Sequence, residues 1–169
     1  MRLGPEAQSE VVASRILWAI GSHQPPTYYL AEWTMTGAES GPQPPGRFRP
    51  PLPGTVIGDW SWYENPFVGT RPFGGLIVAN VMLNSWDWKT SNNKIYELSE
   101  PVNGVARWFV VRDVGASLGR TTYPTLLKWF RLRGFGQGTR NDLPGFEQQG
   151  FIVRVDESRP VFDYRGIYR

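Results

Sequence analysis

The stretch Asn84-Ser-Trp-Asp87-Trp-Lys89-Thr-Ser-Asn92-Asn93 decides how the rest of this chain is interpreted. In it an aspartate, a lysine two residues later and an asparagine three residues after that follow the pattern D-x-K-x-x-N. A phosphoryl-transfer site needs a base for the attacking hydroxyl, a cation for the moving phosphoryl group and oxygen ligands for a metal ion. The spacing sets these residue types along one extended loop, and it therefore indicates phosphoryl-transfer chemistry.

The segments on both sides of this loop predict its structural setting. Residues 76–83 are apolar nearly throughout and predict a core helix that begins after a Gly-Gly pair. Residues 94–98 and 107–112 predict two strands of a hairpin connected by residues 101–104. Asp113 follows the second strand, where a carboxylate is costly to bury unless it is paired or bound to a cation. Asp113 is therefore a second candidate metal ligand, and an ordinary turn residue is the alternative.

The N-terminal segment, residues 5–20, predicts a helix. Pro5 suits its first turn, and Gly21 is a natural residue at its C-terminal end. The spacing of Val12, Ile16, Ala19 and Ile20 predicts that they form the apolar face, with Leu17 beside them.

Two carboxylates of this helix, Glu6 and Glu10, lie one turn apart and share a face. Two solvated side chains are the ordinary interpretation of such a pair on a surface helix.

The remaining segments are predicted from composition and periodicity. Residues 27–35 favour a strand, and residues 37–58 favour a loop in which Arg47 and Arg49 are solvated or, as a second possibility, contact phosphate. Further predictions are a basic helix at 123–133, a mobile Gly-rich loop at 134–138, and strands at 151–155 and 161–164.

Composition narrows the class of protein. The chain has 169 residues, of which 40% are hydrophobic and 20% charged, as expected of one globular domain. The absence of cysteine excludes disulfides and a thiol nucleophile. No apolar run is long enough for a membrane span, which predicts a cytoplasmic protein without a membrane partner. The net charge of +3 is too small an excess to favour a nucleic acid as partner.

Several motifs together resemble a known family. They are Asn65-Pro-Phe-x-Gly-Thr70, Gly75-Leu, the D-x-K-x-x-N loop, Asp113-Val-Gly-Ala-Ser-Leu-Gly119 and the N-terminal helix. With them the chain resembles the atypical enzymes of the protein-kinase-like fold, and within these a bacterial group of uncharacterised kinase-like proteins. The resemblance implies an α+β fold, a protein-kinase-like core with an incomplete N-lobe and a reduced C-lobe. It divides the chain into a partial N-lobe (1–36), a Pro/Gly-rich loop region (37–74) and a partial C-lobe (75–169).

The resemblance also implies a role for each matching residue. Asp87 would be the catalytic base, and Lys89 would stabilise charge on the transferred phosphoryl group. Asn92 and Asp113 would hold Mg²⁺. In the nucleotide-binding part, Glu10, or with less support Glu6, would be the helix-C glutamate. Arg2 is the cation nearest to the place of the missing lysine. The strand at 28–33 would end in the hinge beside the adenine.

These roles predict a phosphotransferase that uses ATP and Mg²⁺ and acts on an unknown acceptor. Because the strands of an N-lobe are missing, the chain is expected to be a fragment or a truncated member of the family. Whether it is catalytically active is left open.

The alternative from another class is a non-catalytic module that stacks on nucleic acid or carbohydrate. It would use exposed aromatic rings beside basic residues, namely Trp60, Trp62, Tyr63, Trp86 and Trp88 with Arg131 and Arg133. A hydrolase with an Asp/Glu pair is a third possibility. The single histidine, His23, is expected to be a surface or capping residue.

Overall fold

The computed structural model describes residues 2–3, 6–37, 40–83, 85, 87–118, 152–157 and 159–162. Within these residues the chain forms two α-helices and four small antiparallel sheets, which confirms the predicted α+β class. The elements in chain order are β1 (Arg2–Leu3), α1 (Glu6–Ala19), β2 (Tyr28–Leu30), β3 (Trp33–Met35), β4 (Gly41–Gln43), β5 (Gly46–Phe48), β6 (Gly54–Asp59), α2 (Arg71–Met82), β7 (Asn93–Val102), β8 (Val105–Val111), β9 (Ile152–Asp156) and β10 (Arg159–Phe162), with 3₁₀ helices at Thr90–Asn92 and Val114–Ala116.

The sheets are assembled from both neighbouring and distant strands. Strand order is β1-β5-β2 in one three-stranded sheet and β6-β7-β8 in the other, while β3-β4 and β9-β10 form two-stranded ribbons. No α-helix of the described residues is long and apolar enough to cross a lipid bilayer.

The hairpin predicted after the D-x-K-x-x-N loop is confirmed as β7 and β8. Asn93 lies opposite Val111 at its open end, and Val102 lies opposite Val105 at the turn. The turn is Asn103-Gly104, and both residues have positive φ angles of 52° and 77°. An Asn-Gly pair tolerates this conformation and matches the twist of the flanking strands, so both strands run further than composition predicted.

The predicted helix is confirmed as α2, but it begins earlier than expected and is not buried all round, since only Phe73, Asn80 and Val81 are buried and Met82 is 71% exposed. It runs from Arg71, so Gly74 and Gly75 lie inside its first turns and do not precede it. Thr70 caps this end by accepting a hydrogen bond from the backbone N–H of Phe73, and a proline occupies the first turn. The cap and the proline together place the first residue of α2 at Arg71, ahead of the two glycines.

The predicted helix at 5–20 is confirmed as α1, but its predicted apolar face is wrong. Val12, Ile16 and Ile20 are 41%, 40% and 55% exposed, whereas Glu6 and Glu10 are buried. The ordinary interpretation of this pair as two solvated side chains is therefore wrong. The polar face can be buried because other parts of the chain supply ionic and hydrogen-bond partners, and burial of a polar group is tolerated only when it has them.

The loop predicted for residues 37–58 is also wrong, because β4, β5 and most of β6 lie there. Strand β5 is the middle strand of its sheet, with Gly46 opposite both Leu3 and Leu30. Pro42 lies in β4, which within the described residues pairs on one side only, with β3, and an edge strand tolerates proline. The pairing comes from distant segments, which local composition does not report.

The single strand predicted for residues 27–35 is divided into β2 and β3, which belong to different sheets. A strand running from 28 to 33 into a hinge is therefore wrong. The hairpin of β9 and β10 agrees with the predicted strands at 151–155 and 161–164. The helix predicted at 123–133 and the Gly-rich loop at 134–138 lie outside the described residues.

The hydrophobic core is rich in indole rings. Trp62 stacks on Trp88 with ring centroids 4.7 Å apart, and Trp60 lies 4.8 Å from Trp62. Phe73 of α2 packs against both Trp60 and Trp62. The core thus lies beneath the loop that carries Asp87 and joins α2 to the hairpin.

Candidate functional site

The loop between α2 and β7 brings Asp87, Lys89 and Asn92 together. Lys89 Nζ lies 2.8 Å from Asp87 Oδ1 and 3.0 Å from Oδ2. The Asp87 side chain is 13% exposed and the Lys89 side chain 39%. Trp88, between them, is buried and donates its indole N–H to Ser85 O at 2.7 Å. This anchored ring turns its two neighbours to the opposite side of the loop, as alternation along an extended segment requires.

The amide of Asn92 orients the same loop. Its Nδ2 donates to Asp87 O at 3.1 Å and to Asp87 Oδ2 at 3.2 Å. Because Nδ2 faces Asp87, the planar amide directs Oδ1 away from it, where the oxygen is available as a ligand. Asn92 O also accepts a hydrogen bond from the backbone N–H of Arg112 at 2.9 Å, which ties the loop to the end of β8.

Asp113 has an unusual backbone conformation at the end of β8. Its φ and ψ angles are 56° and 43°, in the left-handed region that residues other than glycine seldom adopt. The following 3₁₀ helix, Val114–Ala116, is buried. Strained positions of this kind are concentrated at functional sites, and here the strain sets Asp113 beside the loop of Asn92.

Helix α1 packs directly on this 3₁₀ helix. Ser9 Oγ donates a hydrogen bond to Gly115 O at 2.7 Å. A Cβ atom at residue 115 would lie 3.1 Å from Glu6 Cβ and 3.4 Å from Glu10 Oε2, so any larger residue would require α1 to shift by a few tenths of an ångström. The Asp-Val-Gly motif therefore has two roles. Asp113 faces the site, and the missing side chain of Gly115 allows α1 to pack closely against the motif.

Glu10 is completely buried and holds two arginines. Arg47 Nε lies 2.9 Å from Oε2, and Arg49 Nη2 donates to Oε1 at 2.8 Å. The two arginine side chains are 13% and 12% exposed. Burial lowers the pKa of the Arg49 guanidinium, with Arg47 also lowering it and the Glu10 carboxylate opposing the shift. A fully buried carboxylate between two partly buried guanidinium groups is a rigid, positively charged unit.

These elements surround one polar cavity of about 280 Å³. One side, the helix wall, consists of Glu10, Arg47 and Arg49. The other side, the loop wall, comprises the cavity-lining residues of the loop and hairpin, namely Ser91, Asn92, Lys94, Arg112 and Asp113. Asp87 and Lys89 adjoin the loop wall through the side chain of Asn92.

The structure places the predicted site residues in three groups. Asn92, Asp113 and Glu10 line the same cavity, and Asp87 with Lys89 lies next to it. Glu6 is buried against Gly115 and does not line this cavity. Arg2 lies opposite Arg47 in the pairing of β1 with β5, and its side chain is outside what the structure describes.

Sequence reasoning missed the partners of Glu10. Arg47 and Arg49 had been considered only as solvated or phosphate-contacting residues of a loop, with Arg2 as the cation near Glu10. The one available signal was the alternation Arg47-Phe-Arg49, which places both cations on the same side of an extended segment.

Metal ligands at the site are few. No group of three or more His, Cys, Asp or Glu side chains that could hold a metal ion occurs in the described residues. Asp113 and Asn92 supply one carboxylate and one amide oxygen. This donor set fits Mg²⁺, which commonly takes one or two protein oxygens and completes its shell with substrate phosphates and water.

Comparison of the chain with protein-family models, with curated proteins and with solved structures found no match.

The aromatic residues of the alternative interpretation are mostly unavailable for stacking. Trp60, Trp62 and Trp88 are 4%, 6% and 5% exposed, so the expectation that they form a binding surface is wrong. Tyr63 is exposed, while Trp86, Arg131 and Arg133 lie outside the residues whose structure is described. Since these rings fill the core, they support the site from beneath.

Proposed function

We propose that the chain is a protein-kinase-like domain that transfers a phosphoryl group from ATP, with Mg²⁺, to a hydroxyl acceptor. The convergence of Glu10, Asn92 and Asp113 on one cavity, with Asp87 hydrogen-bonded to Asn92, is the observation that carries the proposal. Glu10 is separated from Asp113 by about a hundred residues in sequence, so spacing alone would not bring them together.

In this proposal Asp87 acts as the base. Its Oδ2 accepts hydrogen bonds from Asn92 and Lys89, and these donors hold the carboxylate in one orientation. A carboxylate held this way can accept the proton of an acceptor hydroxyl as that oxygen attacks. Lys89, beside it, stabilises negative charge on the transferred group, and its partial exposure allows it to turn towards that group.

Asn92 Oδ1 and the Asp113 carboxylate would hold Mg²⁺ when the nucleotide is bound. The ion would supply charge neutralisation for the phosphates, and the protein contributes only the two oxygens. Asp113 is held in place by its backbone conformation and by the buried 3₁₀ helix after it. With so few protein ligands, Mg²⁺ is expected to bind together with the nucleotide and not in its absence.

The test is the rate of Mg²⁺-dependent ATP consumption by the full chain, with water or an added alcohol as acceptor. We expect Asp87→Asn to lower the rate by about 100-fold or more, since a positioned general base contributes on that order. Asp156→Asn is the matched control, because Asp156 is exposed in the β9–β10 hairpin and does not line the cavity. The same rate for Asp87→Asn and wild type would reject the assigned base, and no ATP consumption by wild type would reject the activity.

A further inference from the structure

We propose that the cavity binds a polyphosphate group directly through its arginines, so that binding of the phosphates does not require a metal ion. The assignment of that group to a nucleoside triphosphate rests on the proposed function. The phosphate site itself rests on the charges, donors and volume of the cavity.

The charge of the cavity favours an anion over a cation. Among the described residues, Arg47, Arg49, Lys94 and Arg112 line it together with two carboxylates, Glu10 and Asp113. Lys94 is also paired with Asp59 outside the cavity, and Glu10 is shared between two arginines. Even after these pairings the cations outnumber the carboxylates, and a small concave site concentrates their field.

Hydrogen-bond donors remain available on the helix wall. Each guanidinium has five N–H groups, and the contacts to Glu10 engage Nε of Arg47 and Nη2 of Arg49. Both guanidinium groups line the cavity, and a phosphate oxygen is the acceptor that their geometry fits best.

Glu10 organises these donors before any ligand arrives. It is completely buried and fixes two guanidinium groups from β5 and the residue after it. Rigid donors lose little conformational entropy when they bind an anion. Arginine also offers two parallel N–H groups to one phosphate, which the ammonium of a lysine cannot do.

The size and composition of the cavity limit what it holds. A volume of about 280 Å³ lies at the lower end for ligand pockets. The described lining residues are all polar or charged, so the cavity offers little apolar surface for a base to stack on. The cavity therefore fits the phosphate chain and not a complete nucleotide, and affinity should follow the number of phosphates.

Isothermal titration calorimetry of the full chain in EDTA tests this inference, with inorganic tripolyphosphate, ATP and AMP as ligands. We expect tripolyphosphate and ATP to bind without metal, and AMP to bind at least tenfold more weakly. Arg112→Gln and Arg47→Gln should each weaken tripolyphosphate binding about tenfold or more, the loss expected for one charged hydrogen bond. Arg112 lies on the loop wall, so Arg112→Gln removes a cation without breaking the Glu10–Arg47 ion pair and remains informative if Arg47→Gln fails to fold.

Arg107→Gln is the matched control. Arg107 lies on the same strand, β8, but is 62% exposed and paired with Glu97 outside the cavity. Equal weakening by Arg107→Gln, or AMP binding as tight as ATP, would overturn the phosphate site. Tripolyphosphate binding without ATP binding would overturn the assignment to a nucleotide.

The failures of the two proposals are distinguishable. Binding of ATP only in the presence of Mg²⁺ would overturn direct phosphate binding and leave the proposed phosphoryl transfer intact. Arginine-dependent binding in EDTA, with ATP consumption unaffected by Asp87→Asn, would support this inference and reject the proposed catalytic role.

Discussion

The two walls of the cavity differ in the way they are held together. The contacts that hold the loop wall join residues that are close in sequence. The Asp87–Asn92 hydrogen bond next to it, for example, spans five residues. In the helix wall, Glu10 and Arg49 are 39 residues apart, and the Glu10 side chain is fully buried while that of Arg49 is 12% exposed. One wall is a hydrogen-bonded loop on an aromatic core, whereas the other is an ionic cluster.

This difference predicts that the walls contribute differently to stability and to chemistry. Changes to the loop wall should alter activity and leave folding nearly intact, because its side chains are all at least partly exposed, whereas Glu10 in the helix wall is fully buried. Changes to the helix wall should first affect stability, since removing one partner of a buried ionic cluster leaves charge without compensation.

The largest stability effect is expected for Glu10→Gln. The substitution leaves Arg47 and Arg49 buried next to a neutral amide, and the free energy of unfolding should fall by about 3 kcal/mol or more. Urea denaturation measures it. Glu97→Gln is the control, because Glu97 forms an exposed ion pair with Arg107, and such pairs contribute about 0–1 kcal/mol. Similar losses for both variants would show that the helix wall is no more tightly held than a surface pair.

Gly115→Ala should have an intermediate effect. The new Cβ would lie 3.1 Å from Glu6 Cβ, so α1 has to move away from the Asp-Val-Gly motif. We expect a loss of about 1–2 kcal/mol in the free energy of unfolding, the range for inserting one methyl group into a packed contact. Gly74→Ala is the control of opposite sign, because a Cβ there meets no atom within 4 Å and Ala favours the helix by about 1 kcal/mol. Stabilisation by both substitutions would contradict the tight contact between the walls.

The smallest effect is expected for His23, which links α1, behind the helix wall, to β8, behind the loop wall. It follows α1 and stacks on Trp108 of β8, with ring centroids 4.8 Å apart. Burial lowers the pKa of His23 below its ordinary value of 6.5. As the pH falls through that value the unfolded chain takes up the proton first, so the folded state loses stability.

The melting temperature, compared at about pH 7.5 and about pH 5.5, tests this contribution. The wild-type chain should lose slightly more stability on acidification than His23→Phe, which keeps an aromatic ring and does not titrate. An equal loss in both proteins would show that this stack does not contribute to the pH dependence.

Local chemistry was predictable where neighbours in sequence are neighbours in space. The spacing of Asp87, Lys89 and Asn92 placed three polar groups on one loop, and the Asn103-Gly104 turn fixed the hairpin that follows. Helices α1 and α2 were predictable from periodicity and from the residues at their ends. The start of α2 was not, because Thr70 and its hydrogen bond set it ahead of the two glycines.

The burial of α1 was not predictable in this way. Periodicity selects the side with the most apolar surface, but the face with Glu10 is buried because arginines from β5 and the residue after it neutralise the carboxylate. Strand β5 was missed for a related reason, since its hydrogen bonds come from β1 and β2. In both cases the stabilising partner is distant in the chain.

The sequence by itself determined the two helices, the hairpin and the polar loop, because each depends on backbone hydrogen bonds and side-chain contacts within a few residues. Only the tertiary structure decided that Glu10 faces Asn92 and Asp113 across a cavity, and that Arg47 and Arg49 are ion-paired with Glu10. A buried carboxylate is tolerated only where cations reach it, and which cations reach it depends on how the whole chain packs.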